Sequence, residues 1–308
     1  MLGDRAVRNA PLGGRTTYRV GGHAALLVEV RTPGDLARAA AAVRASGVQV
    51  LVVGRGSNLL VADAGFAGLA VVVGEGLDEV HVDTAAGLVR AGSGVSLPVL
   101  ARRAAAAGAG GLEWSVGVPG SVGGAVRMNA GGHGSDIAAS LVRAGVRDLG
   151  AAGTGDPPAG RAVGAAELGL GYRCSTLGPA QVVTWAEFAV TPRDPRAAEA
   201  ELAAIVAWRR AHQPGGQNAG SVFANPPGDS AGRLIDAAGL KGLRRGSATV
   251  SAKHANFMQA DAGGSADDVL ALAREVQRRV EETAGVRLEL ELRLVGFPEP
   301  TGPGGRSR

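Results

Sequence analysis

Two glycine-rich segments constrain this 308-residue chain more than any other feature. They are Gly54-Arg55-Gly56-Ser57-Asn58, and Gly117-Val118-Pro119-Gly120-Ser121-Val122-Gly123-Gly124 running on to Met128-Asn129-Ala130-Gly131. Glycine lets backbone N–H groups converge on an oxyanion with no Cβ in the way, and Ser57, Asn58 and Ser121 add side-chain donors. Either segment alone could be a tight turn. Two in one half of a chain point to a cradle for a diphosphate. Neither has the spacing G-x-G-x-x-G at the opening of a helix, nor G-x-x-x-x-G-K-[ST], so the Rossmann and P-loop readings fail.

The pattern around the first loop shows how it is delivered. Thr32-Pro33-Gly34-Asp35 reads as a helix start, followed by Leu36, Ala39, Ala40 and Val43 at helical spacing and a stop before Gly47. Residues 48–53 are a nearly continuous apolar run, expected to be a strand buried on both faces that ends at the loop. Further strands are expected over 69–73, 80–82 and 88–91, then a short helix capped by Ser96 and ending at Gly108. The stretch 145–164, rich in Gly, Ala and Pro, reads as a surface excursion, and 191–195 as a link into a second domain with its boundary near Pro192.

In that second domain Ser265 and Asp268 form a capping-box variant. They open a helix with Val269, Leu272, Ala273, Val276 and Val280 on its buried side and Gly285 at its end. From 286 to 295 the period changes to two. Leu288, Leu290, Leu292 and Leu294 alternate with Arg287, Glu289, Glu291 and Arg293, as in one strand with a charged face. Residues 301–308 hold nothing to bury and are expected to be disordered.

Composition narrows the partners. Hydrophobic residues make up 45% of the chain and aromatics 3%, so cores must be built from Val, Leu and Ala. The net charge of +4 comes from 32 Lys and Arg scattered among 28 Asp and Glu. That suits an anionic small molecule better than nucleic acid. No stretch approaches the roughly 20 apolar residues of a membrane span, and the start lacks a signal-peptide pattern, so a cytoplasmic protein with no membrane partner is expected. Cys174 is the only cysteine, which leaves no internal disulfide or cysteine-based zinc site, and no metal is implied.

At this point the residues resemble a family, the UDP-N-acetylenolpyruvoylglucosamine reductases, in the shorter form that lacks a substrate-covering loop. The likeness begins with Pro11-Leu12 and Thr16-Thr17-Tyr18-Arg19-Val20-Gly21-Gly22, includes both glycine segments, and continues through Tyr172-Arg173-Cys174-Ser175. It extends through Ala219-Gly220-Ser221-Val222-Phe223-Ala224-Asn225-Pro226, Ala231-Gly232-Arg233-Leu234-Ile235 and Gly239-Leu240-Lys241-Gly242. Val250-Ser251-Ala252-Lys253-His254-Ala255-Asn256-Phe257 and the closing run from Gly285 to Glu291 complete it. The resemblance implies an α+β fold. An N-terminal segment (1–15) leads into an FAD-binding domain of the vanillyl-alcohol-oxidase (PCMH) type (16–192). A smaller α+β substrate-binding domain (193–298) and a tail (299–308) follow. It also implies non-covalent FAD, NADPH as hydride donor, a UDP-sugar substrate reduced at a vinyl ether in cytoplasmic peptidoglycan precursor synthesis, and a monomer.

The resemblance assigns roles residue by residue. Ser221 matches the family's proton donor, Arg173 its carboxylate-binding arginine and Glu291 its catalytic glutamate. Glu291 is protonated and donates a hydrogen bond, or is charged and polarises a water and Arg173; the sequence leaves both open. FAD is expected on Gly54, Arg55, Gly56, Ser57, Asn58 and Leu59, on Gly117, Val118, Pro119, Gly120, Ser121, Gly123 and Gly124, and on Asn129, Ala130 and Gly131. Substrate contacts are expected from Tyr172, Asn225, His254, Asn256 and His133, with Lys241 and Lys253 as candidates for its phosphates.

Three positions depart from the pattern. Arg55 stands where asparagine is usual, His133 where tyrosine is usual, and Ala224 where lysine is usual. His133 is expected to replace the tyrosine hydroxyl as a donor that titrates near neutrality. An FAD-dependent oxidase sharing the flavin domain, a non-catalytic binding module and a nucleic-acid binder are the competing readings. Ser221, Asn225 and Glu291 together favour the reductase.

Overall fold

The computed structural model describes residues 2–150 and 160–298. The proposed tail, 299–308, and the middle of the expected excursion lie outside the described residues.

A four-stranded sheet carries the first loop. Its strands are β1 (Ala6–Pro11), β2 (His23–Val30), β3 (Val50–Val53) and β5 (Phe66–Val73), in the order β1-β2-β5-β3. Strands β2, β5 and β3 run parallel. Helix α1 (Pro33–Ser46) begins as expected. Thr32 accepts from the Asp35 amide, Asp35 returns the bond to the Thr32 amide, and Gly47 closes the helix at φ 65°. Its Leu36, Ala39, Ala40 and Val43 pack on Val28, Val30, Leu69 and Val71. The central strand β5 is the one buried on both faces. By contrast β3 is an edge strand with Val53 fully buried and its other three residues half-buried. Its apolar run faces a cleft rather than a second neighbour.

An antiparallel five-stranded sheet follows. It is built from β6 (Val80–Asp83), β7 (Leu88–Gly92), β8 (Leu141–Asp148), β9 (Arg161–Gly164) and β10 (Gln181–Ala189), in the order β9-β8-β10-β7-β6. Helices α2 (Leu97–Ala106) and α3 (Val122–Met128) cover it, and Leu97, Leu100, Ala104, Val122 and Val126 pack on Val89, Ala144, Val183 and Phe188. Here the expected excursion is corrected at both ends. Residues 145–148 and 161–164 are paired strand, and Gly145 is buried because the Trp185 ring lies where its Cβ would be, 2.2 Å from Nε1. Small residues were needed for that ring and not for a loop.

Helix α4 (Pro195–His212) lies beyond the expected boundary yet packs on the first domain, with Ala198, Leu202 and Ile205 against Ala101, Ala105 and Val116. The second core starts after it. It gathers Val222, Phe223, Met258, Leu288 and Leu292 with α5 (Ala231–Ala237) and α6 (Ala266–Ala284). A small sheet of β11 (Arg244–Arg245), β12 (Ala248–Val250) and β13 (Met258–Ala260) completes the domain. Tyr18, Val20 and Leu60 from the first domain enter this core. The Tyr18 hydroxyl has no partner among the described residues, and burial raises its pKa.

The start of α6 differs from the expected capping box. Ser265 does accept from the Asp268 amide, but the Asp268 carboxylate turns to Ser247, taking its amide and hydroxyl at 2.8 Å each. The free amides at the helix start belong instead to Asp63 of the first domain, which accepts from Ala266 at 2.9 Å and Asp267 at 3.3 Å and from the Ser265 hydroxyl. A carboxylate at a helix N-terminus is favourable both as acceptor and against the helix dipole.

The alternating run 286–295 is not one strand. Leu288 and Leu292 are buried in the second core, the chain bends at Leu292, and only β14 (Arg293–Val295) is strand. It pairs in parallel with β4 (Leu59–Val61), next to the first glycine loop. This change of domain turns the side chains over: Leu294 is 37% exposed and Val295 buried. Among the described residues no helix is long and apolar enough to cross a membrane.

Candidate active site

One cleft of ≈ 560 Å³ lies between the two domains, and both glycine loops open into it. They meet there, because the Ser57 hydroxyl donates to the Pro119 carbonyl at 3.2 Å. A Cβ on Gly54 would stand 2.4 Å from the Ser121 hydroxyl, and Gly120 has φ 138°, so side chains would close the space between the loops. The amides of Arg55, Gly56, Ser57 and Asn58 donate to no protein acceptor among the described residues. Four neighbouring donors lining a glycine-walled slot fit the diphosphate of FAD.

Charge supports the same ligand class. Arg55, Arg127, Arg173, Arg209 and Arg293 line the cleft, against Glu291 as its one carboxylate among the described residues. Burial works against the charge on Arg127 and Arg209, and Arg293 adds repulsion at Arg127. Arg209 donates to the Gln213 side chain at 2.7 Å and forms no ion pair with a described carboxylate. Polyanionic ligands relieve such a site.

The residues expected to react come from distant parts of the sequence. Arg173 sits at φ 56° in the turn after Tyr172, and its guanidinium is fixed from three sides. Nη2 donates to Gly131 O at 3.0 Å, Nη1 to Asn129 O at 3.5 Å, and Nε meets Glu291 Oε1 at 3.0 Å. Burial raises the Glu291 carboxyl above the usual carboxylate range, and Arg173 only partly offsets this. Ser221 lines the cleft after Gly220, whose φ of 76° turns the chain, and it forms a bridge with Phe257. The Glu291 amide donates to the carbonyl of Val222, the residue after Ser221, at 2.9 Å.

Most of the expected cofactor and substrate residues line this cleft: Gly54 to Leu59, Gly117 to Ser121, Gly124, Ala130, Gly131, His133, Tyr172 and Asn225. His133 meets the Trp208 ring edge-on at 5.2 Å, and burial followed by the Arg209 charge pushes its pKa down. Six candidates are placed elsewhere. Gly123 packs on Ser93, where a Cβ would come within 2.9 Å. Asn129 is buried and holds the Arg173 turn through Gly171 O at 2.8 Å. Asn256 spends its amide on the Phe223 backbone, at 3.0 and 2.8 Å, and His254 rests on Phe257, so both support the Ser221 segment from behind. Lys241 pairs with Asp236 at 2.6 Å, and Lys253 donates to the Arg210 carbonyl. None of the six lines the cleft.

Sequence reading missed Arg127, Arg209, Arg293, Trp208 and Phe257. The sole signal was at Trp208-Arg209-Arg210, an aromatic beside two cations near a helix end; isolated arginines elsewhere read as surface.

Comparison with known proteins shows the family. Residues 24–149 match a family profile described as FAD binding domain. Residues 212–295 match one described as UDP-N-acetylenolpyruvoylglucosamine reductase, C-terminal domain. UDP-N-acetylenolpyruvoylglucosamine reductase 2 of Symbiobacterium thermophilum is 42% identical over 95% of this chain and 92% of its own. The enzyme of Anaeromyxobacter sp. is 43% identical over 94% of this chain and 88% of its own. The crystal structure of UDP-N-acetylenolpyruvylglucosamine reductase from Thermus caldophilus superposes with a TM-score of 0.78 at 37% identity, covering 94% of this chain and 98% of that one.

Proposed function

The chain belongs to the UDP-N-acetylenolpyruvoylglucosamine reductase family, and from that premise we propose that it reduces UDP-N-acetylenolpyruvoylglucosamine to UDP-N-acetylmuramate with its own residues in defined roles. The observation that carries this is the meeting of Ser221, Arg173 and Glu291 in the one cleft that also holds both glycine loops.

Bound FAD would supply a hydride to the terminal vinyl carbon, after receiving it from NADPH. The tasks left to the protein are to hold the diphosphate groups, to accommodate the negative charge that develops beside the substrate carboxylate, and to give a proton to the carbon next to it. The loop amides and the arginines serve the first task. Arg173, already aimed by Gly131 and Asn129, can take the carboxylate and remain charged throughout. A second anion at Arg173 weakens its hold on the Glu291 charge, so Glu291 acts as the neutral acid and donates a hydrogen bond to the enolate oxygen. The Ser221 hydroxyl gives its proton to the carbon and regains one from water, which completes the lactyl ether. Asn225, Tyr172 and His133 position the sugar nucleotide. The protein works as a monomer in the cytoplasm, in peptidoglycan precursor synthesis, with no nucleic-acid or membrane partner.

The test uses purified protein carrying its yellow cofactor. NADPH should bleach the flavin band without oxygen, and UDP-N-acetylenolpyruvoylglucosamine should restore it. Bleaching without restoration would refute the substrate, and a protein that takes up no FAD would refute the whole assignment.

A further inference from the structure

Asn58 closes the first glycine loop, and its side chain turns away from the loop. Nδ2 donates to the carbonyl of Glu291 at 3.1 Å, and the Asn58 carbonyl accepts from the Arg293 amide at 2.9 Å. The next residues continue the contact as strand pairing, Leu59 opposite Arg293 and Val61 opposite Val295. On its other side the Glu291 amide donates to Val222 O at 2.9 Å. The peptide units flanking Glu291 are therefore held between the segment that carries Ser221 and the first glycine loop. Residues 286–290 are fixed otherwise within the second domain, by burial of Leu288, a bridge from Phe223 to Leu290, and bonds from the Ala224 amide to Glu289 O at 2.9 Å and from the Gln277 side chain to Leu288 O at 2.7 Å, none of which reaches the first domain.

We propose that Asn58 is a positioning residue, whose side-chain amide ties the cofactor loop to the Glu291 backbone and so sets the depth of the Glu291 carboxyl in the cleft. The inference rests on the role given above to Glu291. The loop would hold a diphosphate through its main-chain amides, which a change of the Asn58 side chain leaves in place. Loss of the Nδ2 donor frees the Glu291 carbonyl and lets the carboxyl shift relative to Arg173 and the reacting carbon. A misplacement of about 1 Å is enough to lower a rate by roughly a hundredfold.

The experiment compares Asn58→Ala, Asn58→Ser and Glu291→Gln as FAD-loaded proteins. FAD affinity is read by quenching of flavin fluorescence on titration of the apoprotein. The reduced enzyme is prepared with dithionite and mixed with UDP-N-acetylenolpyruvoylglucosamine across pH. Asn58→Ala should bind FAD within about threefold of wild type, reoxidise about ten- to a hundredfold more slowly, and show the Glu291 limb at a shifted pH. Asn58→Ser, which keeps a short donor, should recover part of the rate and covers the case in which the alanine variant does not fold. Weakened FAD binding with a normal rate and limb at saturating FAD would make Asn58 a cofactor ligand only and overturn the proposal. Normal reoxidation by Glu291→Gln would remove the catalytic role of Glu291 itself. An impaired Glu291→Gln beside a wild-type Asn58→Ala would sink the positioning role alone.

Discussion

Arg173 Nε stands 3.0 Å from Glu291 Oε1, joining a turn of the first domain to the chain that returns from the second. This pair places a fixed positive charge against a carboxyl whose burial favours the neutral form. The consequence for stability has a definite sign. A raised folded pKa means that the unfolded chain loses its proton first as pH rises. Stability present below the ordinary glutamate range is therefore lost as pH climbs through the raised value. Glu291→Gln cannot titrate. Its Tm relative to wild type should rise across that interval and level off above it, measured by thermal scans over pH. Parallel curves would mean that the carboxyl is unperturbed.

Ser221→Ala separates the two halves of the reaction. Anaerobic bleaching by NADPH should be unaffected, while reoxidation by the enolpyruvyl substrate slows by about 10²- to 10⁴-fold. Stopped-flow absorbance of the flavin reads both. An unimpaired second half would assign the proton to another group.

His133 is held below the usual histidine range by burial and by Arg209, so it is neutral near pH 7 and charges only in more acidic solution. Activity that needs the neutral ring falls as pH drops through this lowered value. His133→Phe retains an aromatic edge for Trp208 and should lack that acidic limb in kcat/KM. A limb unchanged in the variant would belong elsewhere.

Gly54→Ala tests the cradle. The new methyl would strike the Ser121 hydroxyl, which also accepts from the Gly124 amide at 3.4 Å. Loss of that cap costs about 1 kcal/mol, and FAD affinity should fall by roughly tenfold as the loops are pushed apart. Gly14→Ala, where nothing lies within 4 Å of the added carbon, is the control and should stay within about 0.5 kcal/mol of wild type. Equal FAD affinity in the two variants would mean that the ligand does not occupy this slot.

Local signals were the readable part of the sequence. Thr32 with Asp35, and Ser265 with Gly285, mark helix ends through bonds made within a few residues, and both helices begin and end where those signals lie. The glycine loops and the trio Ser221, Arg173 and Glu291 were legible because family motifs carry them. Partnership across the fold was not. The period-two run 286–295 keeps its alternation while the chain changes cores at Leu292, and no residue type announces that change. Asp268 serves Ser247 rather than its own helix because Asp63, about 200 positions away in sequence, already supplies the acceptor. Arg127 and Arg209 become cleft residues only when helices α3 and α4 are set beside the loops. Gly145 looks like loop until Trp185 is seen lying on it.

The return of β14 to β4 has a mechanical consequence. The second domain is joined to the first at both its ends, by the chain leaving α4 and by the strand coming back beside the first glycine loop. Tyr18, Val20 and Leu60 of the first domain are buried in the second core as well, so the two joins are backed by continuous packing. The Asp63 clasp on α6 sits beside the second join, because its neighbour Ala62 donates to the Val295 carbonyl at 2.8 Å, and it ties the start of α6 to the same place. The first glycine loop, Glu291 and Ser221 are thus fastened to one seam, and the spacing between the cradle and the reacting side chains is set by the bonds within that seam.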